Sequence, residues 1–394
     1  MIAVSSLMAV ALADCAHAAN DVVDCSKRSL AKVVGDGVGQ TTINFTGVCA
    51  GPIVISTDGL TLNGVGTAII DGGKKDAVTI AGVHGVALGN FEVRNGANGI
   101  VGVNGAHLSL TNVSAHDNLA SGIALQTGSS AVATGVTVAS NKLHGLTVET
   151  GSAVTITGAF ASTGNQVFGV NVNGSSITFA QAAATFTDNA LGMQVATSAN
   201  AFVNDPGTVL NFTHNLADGL TIVSGAHMVT FGGTINASFN GVNGVSVNSK
   251  AGFDLDAGAS LNTFSNGGAF GPGNGILIQE GSVVTVFNIP QFSGATGFSN
   301  INAHNNIGSG VSIKTNSTVT VSNQAKITST ANTLFGLSAD NGTITTVNSA
   351  LTGNSAKDLQ LTFGTRADLQ TTFGSYSCDA TVLVRGSASL LCPH

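Results

Sequence analysis

Two groups of residues in this chain have side chains suited to proton transfer or cation binding. The first is Arg94 with His116 and Asp117. Arg94 and Asp117 each stand five residues before a glycine, Gly99 and Gly122, that closes a recurring frame. Equal offsets predict that they sit one above the other on successive turns. A cation beside a carboxylate and an imidazole is a constellation for proton abstraction. It is equally a surface ion pair worth at most about 1 kcal/mol, with His116 capping a turn. The second group is Asp254-Leu255-Asp256. If Phe253 and Leu255 point inward, both carboxylates face out on one side, roughly 7 Å apart along a strand. Counting from the corner glycines puts Phe231 and Phe287 in the column of Asp256. Aromatic surface beside two carboxylates suits a sugar ring and acid–base cleavage of a glycosidic bond. The same pair could hold Ca2+ with water and loop carbonyls, or simply solubilise the face.

Other chemistry is poorly supported. His107 and His227 recur in Gly-Ala-His, and His214 and His304 near another repeat position, so the histidines fall on distant turns and predict no metal centre. No close Cys-x-x-Cys pair is present to hold zinc. A formal charge of −7 with no basic stripe argues against nucleic acid as a partner.

The elements that must position these groups come from a repeat. Asn141-Lys142-Leu143-His144-Gly145-Leu146-Thr147-Val148 reads as Asn, three variable residues, Gly, then aliphatic–polar–aliphatic. The frame returns from Asn95 and Gly99 to Asn306 and Gly310, with looser copies around Gly192, Gly275, Gly336 and Leu359. Glycines 99, 122, 145, 169 and 192 are spaced by 23, 23, 24 and 23 residues. Each period holds three short segments alternating with period two, rich in Val, Ile, Leu and Thr and bounded by Gly, Asn or Ser, which is the strand signature. Three strands per turn in register predict an all-β coil of about twelve turns, roughly 60 Å long at the spacing of parallel strands. One turn cannot bury its own apolar face, so neighbouring turns must stack. At each corner, Gly admits unusual backbone angles, while Asn tolerates left-handed geometry and hydrogen-bonds along the axis.

On these repeats the chain resembles the right-handed parallel β-helix proteins of the pectin-lyase-like superfamily, over roughly residues 25–363. Cys49 before Ile53-Val54-Ile55 and then Leu60-Thr61-Leu62-Asn63-Gly64 is similar to the opening turns of exported bacterial members. The resemblance implies a single right-handed coil and, for some members, cleavage of polysaccharides. The lyases among them use clustered acids for calcium with an Arg or Lys base, and the hydrolases use grouped aspartates. Neither set is intact here: Glu occurs only at 92, 149 and 280, Arg only at 28, 94, 366 and 385, and no adjacent pair of aspartates follows a strand.

The ends complete the expected organisation. Residues 1–18 read as a signal peptide, apolar and ending in Ala16-His17-Ala18; the run is too short to span a membrane. Removing it leaves Cys25, Cys49, Cys378 and Cys392, an even count that suggests disulfides in an exported protein. Of three connectivities, a rod permits Cys25–Cys49 and Cys378–Cys392. Ser26 to Val34 is the one amphipathic helical stretch, broken by Gly35-Asp36-Gly37, and reads as a lid on the first turn. The predicted domains are an N-terminal cap at 19–52, the coil at 53–363 and a C-terminal cap at 364–394. Loops are inserted at 264–275, bearing Phe270, and at 287–305, bearing Pro290, Phe292 and Phe298; such insertions gather on one face, often the binding face. The expected function is that of a secreted, periplasmic or cell-surface rod contacting a polysaccharide or envelope glycan without catalysis. The alternative is a polysaccharide lyase or glycoside hydrolase with its groove at Asp254, Asp256 and the inserted loops.

Overall fold

The computed structural model describes residues 22–36, 41–268, 270–288, 297–322 and 324–386. The expected signal peptide, Pro290, Phe292 and Cys392 lie outside these residues. The chain coils as a right-handed parallel β-solenoid, each strand lying against its equivalent one turn away. Ser130 is flanked by His107 and Ala153, and Leu146 by Ile123 and Val170, all in parallel register. One segment of each turn enters a narrow sheet of 14 strands; the other two enter a wide sheet of 21. In most turns the wide-sheet segments are a single bent strand, as in Ala153–Thr163, and in the middle of the rod they separate, as in His227–Phe231 and Thr234–Ser238.

About fourteen turns are present rather than twelve. The turns that lack the Asn–Gly frame lie near the ends: Ile53–Ile55 and Val78–Ala81 at one end, Tyr376–Cys378 at the other. Parallel pairing continues past residue 363, with Arg366 to Leu369 against Leu383 to Gly386. Inside the coil, alternate strand positions stack Val, Ile, Leu and Phe, including Phe186 over Phe212 at 4.4 Å between ring centres.

The N-terminal lid begins later than expected and runs on through Gly35 and Asp36, two residues of the expected break. Its helix is Leu30–Asp36, packing Leu30 and Val34 inward. Residues 24–27 form a turn instead, because Asp24 Oδ1 accepts hydrogen bonds from the Ser26 amide and hydroxyl and Lys27 Nζ pairs with Asp24 at 2.8 Å. Ser29 Oγ caps the helix by accepting from the Lys32 amide. Cys25 and Cys49 are disulfide-bonded, tying this lid to the first bent strand.

At the corner between the wide and narrow sheets the expected axial hydrogen bonding of asparagines is present, while the expected backbone angles are not. The Asn141 amide and Nδ2 both donate to Asn165 Oδ1, whose own amide and Nδ2 donate to Asn189 Oδ1. This ladder runs through Asn215, Asn240, Asn266, Asn306 and Asn332 to Asn354. Along this ladder left-handed backbone belongs to the residue before each asparagine, such as Ser140, His214 and Phe239, while Asn95, which opens the first frame, is itself left-handed. Nor do corner glycines 122 and 145 adopt positive φ. They are required by space: a Cβ on Gly122 would stand 2.8 Å from Asn141 Nδ2 and from the Gly145 carbonyl.

Candidate functional site

Arg94 ends one wide-sheet strand and His116 ends the next. Register aligns Asp71, Arg94 and His116 in one column, so Arg94 lies against His116 and not against Asp117. The expected stacking fails because the corner following His116 is one residue longer than the corner following Arg94. The Arg94 Nε stands 3.8 Å from Asp71 Oδ2, one turn back. His116 is held between Asp117 Oδ2 at 2.7 Å from Nδ1 and Glu92 Oε2 at 3.5 Å from Nε2. Both imidazole nitrogens therefore face carboxylates of the protein. The group is a surface network in which His116 Nδ1 is hydrogen-bonded and Nε2 has the Glu92 carboxylate at 3.5 Å.

The second group is aligned as counted but not oriented as expected. Phe231 registers with Asp256, and the Phe287 amide bonds the Leu255 carbonyl at 2.9 Å, which sets Phe287 at the same level. The two carboxylates, however, do not share an open face. Asp254 Oδ2 is 2.9 Å from His227 Nε2, a hydrogen bond that raises the His227 pKa against the opposing effect of burial. Asp256 is 7% exposed and accepts from the Ala257 amide, because Ala257 turns left-handed into the bend between the two wide-sheet strands. Phe270 is 69% exposed on the other side of strand Ser260–Phe264, at the Asn266 corner, and does not join Phe231 and Phe287. Among the described residues no three His, Cys, Asp or Glu side chains come together as metal ligands.

A different face is built as a trough. In the narrow sheet the middle residue of each triplet points away from the core, yet Ala124, Thr147, Asn171, Thr221, Ser246 and Ser312 are only 2–7% exposed. The equivalent outward residue of the wide sheet, Val132, is 48% exposed. Over the central turns outward side chains of the narrow sheet are hemmed in by the columns on either side, whereas Val54 at its N-terminal end is 53% exposed. Leu119, Leu143 and Leu216 stand exposed along the corner edge, and the strand-end column that includes Glu149 and Asn173 forms the opposite edge.

Polar groups concentrate on this floor. Asn171 Nδ2 donates to Thr147 Oγ1 at 3.4 Å, and Thr147 Oγ1 donates to Glu149 Oε1 at 3.1 Å. His144, just ahead of the same strand, stacks on Phe168 with ring centres 5.0 Å apart and planes 10° apart. Burial holds the His144 pKa below its ordinary value despite the charge of Glu149, so the ring is neutral near pH 7. Its Nδ1 is buried without a hydrogen-bond partner, as is Asn248 Oδ1. Burial raises the pKa of Asp218, opposed by hydrogen bonds from the Asn243 amide at 2.8 Å and Nδ2 at 3.0 Å and from Thr221 Oγ1. The stretch with the clearest repeat thus also bears His144, Thr147 and Glu149. Sequence reasoning passed over them because they occupy ordinary frame positions; the available signal was the polar middle residue of successive triplets.

Residues 53–205 match the family model of the right handed beta helix region. No curated protein matches the chain. Among solved structures, the A-module of the Azotobacter vinelandii mannuronan C-5 epimerase AlgE6 superposes with a TM-score of 0.52 at 12% identity, over 92% of this chain and 99% of that one. The A-module of the mannuronan C-5 epimerase AlgE4 from the same organism gives 0.52 at 14% identity, over 90% and 93%. At such identities the likeness is one of fold. Repeat, register and superposition agree that this chain has the right-handed parallel β-helix fold.

Proposed function

We propose that this is an exported β-helix protein that binds polysaccharide along the outer face of its narrow sheet. The observation that carries the reading is the buried, hydrogen-bonding floor: side chains that point out of the coil are sheltered there and nowhere comparably on the strand face around Val132. A sheltered row of hydroxyls and amides, repeated at roughly 4.8 Å from turn to turn, matches an extended polymer of hydroxyl-bearing rings. The two A-modules of the same fold are named as acting on mannuronan, which supports the polymer class without assigning a substrate. The Cys25–Cys49 disulfide supports an oxidising compartment, and among the described residues no helix is long and apolar enough to cross a membrane. Affinity electrophoresis through gels containing single polysaccharides tests the reading. Retardation by at least one polymer is expected, and Asn171→Leu should weaken it about tenfold, the effect of losing one or two hydrogen bonds, at unchanged melting temperature. Retardation indifferent to Asn171 would move the site off this face.

Catalysis is a second reading, favoured by one observation: His144 at the corner edge and Glu149 at the opposite edge bring an imidazole and a carboxylate to one face, and both group types can carry protons. Catalysis or Ca2+ binding at Asp254 and Asp256 requires Asp254 to leave His227. Product assays on uronate-containing and neutral polysaccharides, with and without calcium, in wild type, His144→Gln and Asp254→Ala separate these sites. Turnover lost only in His144→Gln places the chemistry in the trough.

A further inference from the structure

Resting on the reading of the narrow-sheet trough as a glycan site, we infer that its ligand is a polysaccharide without carboxylate or sulfate groups. The first observation is the floor itself. From Val54 to Ser377 every outward triplet residue is uncharged. The second is the sign of the charges flanking it. Over the central turns these are the carboxylates of Glu149 and Asp218, and burial lowers the pKa of His144 on the corner edge. The basic residues nearest in sequence, Lys142 and Lys250, are exposed in the flanking turns and are not on the floor. Lys314 registers with Asp340 at the C-terminal end of the trough.

A polyuronate would lay a negative charge on each ring against this floor. Desolvating a carboxylate without a cation or a set of amide donors is strongly unfavourable, and Glu149, Asp218 and the chain's net charge of −7 add repulsion. A neutral ring reverses the balance. Its hydroxyls donate to the carboxylate of Glu149 and accept from the amides of Asn171 and Gln194. Its C–H face lies against the apolar corner edge at Leu143 and Leu216.

Calorimetric titration with a neutral β-glucan, a mannan and a xylan, beside alginate and polygalacturonate, at about 20 mM and about 300 mM sodium chloride, tests the inference. The expected result is binding of a neutral polymer with a Kd that changes less than about twofold between the two salts, lost in Asn171→Leu. Asn171→Lys should gain polyuronate binding that salt abolishes. Polyuronate binding by the wild-type protein, lost in Asn171→Leu, would overturn the neutral class and leave the trough standing. No binding by any polymer, or binding untouched by Asn171→Leu, would remove the trough as a glycan site and this inference with it.

Discussion

Two kinds of glycine serve this coil, and they answer to different physics. Gly145 has ordinary backbone angles, but a Cβ there would lie 2.5 Å from the Gly169 carbonyl oxygen, 2.7 Å from Val138 Cγ2 and 2.9 Å from Asn165 Nδ2. Gly151 has φ +72° and open space around its missing Cβ. Gly145→Ala must therefore push apart two turns and the asparagine ladder, at a cost of about 3 kcal/mol. Gly151→Ala should cost only about 1 kcal/mol of left-handed strain. Urea denaturation of the two variants checks the ranking, and equal losses would mean that turn spacing is softer than the packing indicates. Repeat glycines advertise themselves in a sequence, but which of the two reasons applies at each does not. The left-handed angle sits beside the asparagine, at residues as varied as Ser140, His214 and Phe239, so no residue type marks it.

The asparagine ladder is the element that locks each corner to the next, and its last rung is a carboxylate. Asn354 gives its amide and Nδ2 to Asp358 Oδ1 at 3.0 and 2.9 Å, while Asp358 Oδ2 accepts from the Gly374 and Ser375 amides at 3.0 and 2.9 Å. Burial alone would raise the Asp358 pKa, but the hydrogen bonds from Asn354, Ser375 and Gly374 outweigh it and hold the carboxyl low. A carboxyl depressed in the folded state contributes stability above its ordinary value. That contribution is lost as pH falls from there through the lower folded value. Asp358→Asn places an NH2 among donors and should cost about 2 kcal/mol at pH 7. The deficit should shrink below about pH 4, as wild type loses its own advantage; urea midpoints at pH 7 and pH 3 read it directly. Most of this element was legible, because Asn and Gly recur at a fixed interval wherever the corner is tight. Asn266 was not, since the inserted loop separates it from Gly275. Corner length also varies by one residue, which displaced Arg94 from Asp117 to His116. The shelter of Thr147 and Asn171 was beyond the sequence, because it depends on the columns standing beside them and not on their own identity.

At the scale of the whole rod, roughly 65 Å for fourteen turns at parallel-strand spacing, stability should be local. Each strand pairs only with its equivalents in adjacent turns, as Thr42 to Phe45 pair with Thr61 to Gly64. Such a chain approximates a one-dimensional array in which a perturbation fades over a few repeats. The Cys25–Cys49 bond closes a separation of 24 residues at the very first turn and holds the Leu30–Asp36 lid over the apolar stack. By loop closure it contributes about 3 kcal/mol, and that contribution belongs to the terminal turns. Replacing both cysteines by serine should accelerate amide exchange in Thr42–Ala50 and Thr61–Asp71 by about a hundredfold, the factor about 3 kcal/mol represents. Exchange in Leu146–Glu149 and Val209–Thr213 should stay unchanged. Peptide-resolved hydrogen exchange distinguishes this gradient from its alternative. Uniform acceleration along the rod would mean that the fourteen turns open as a single cooperative unit, with the lid fastening all of them and not merely the end it covers.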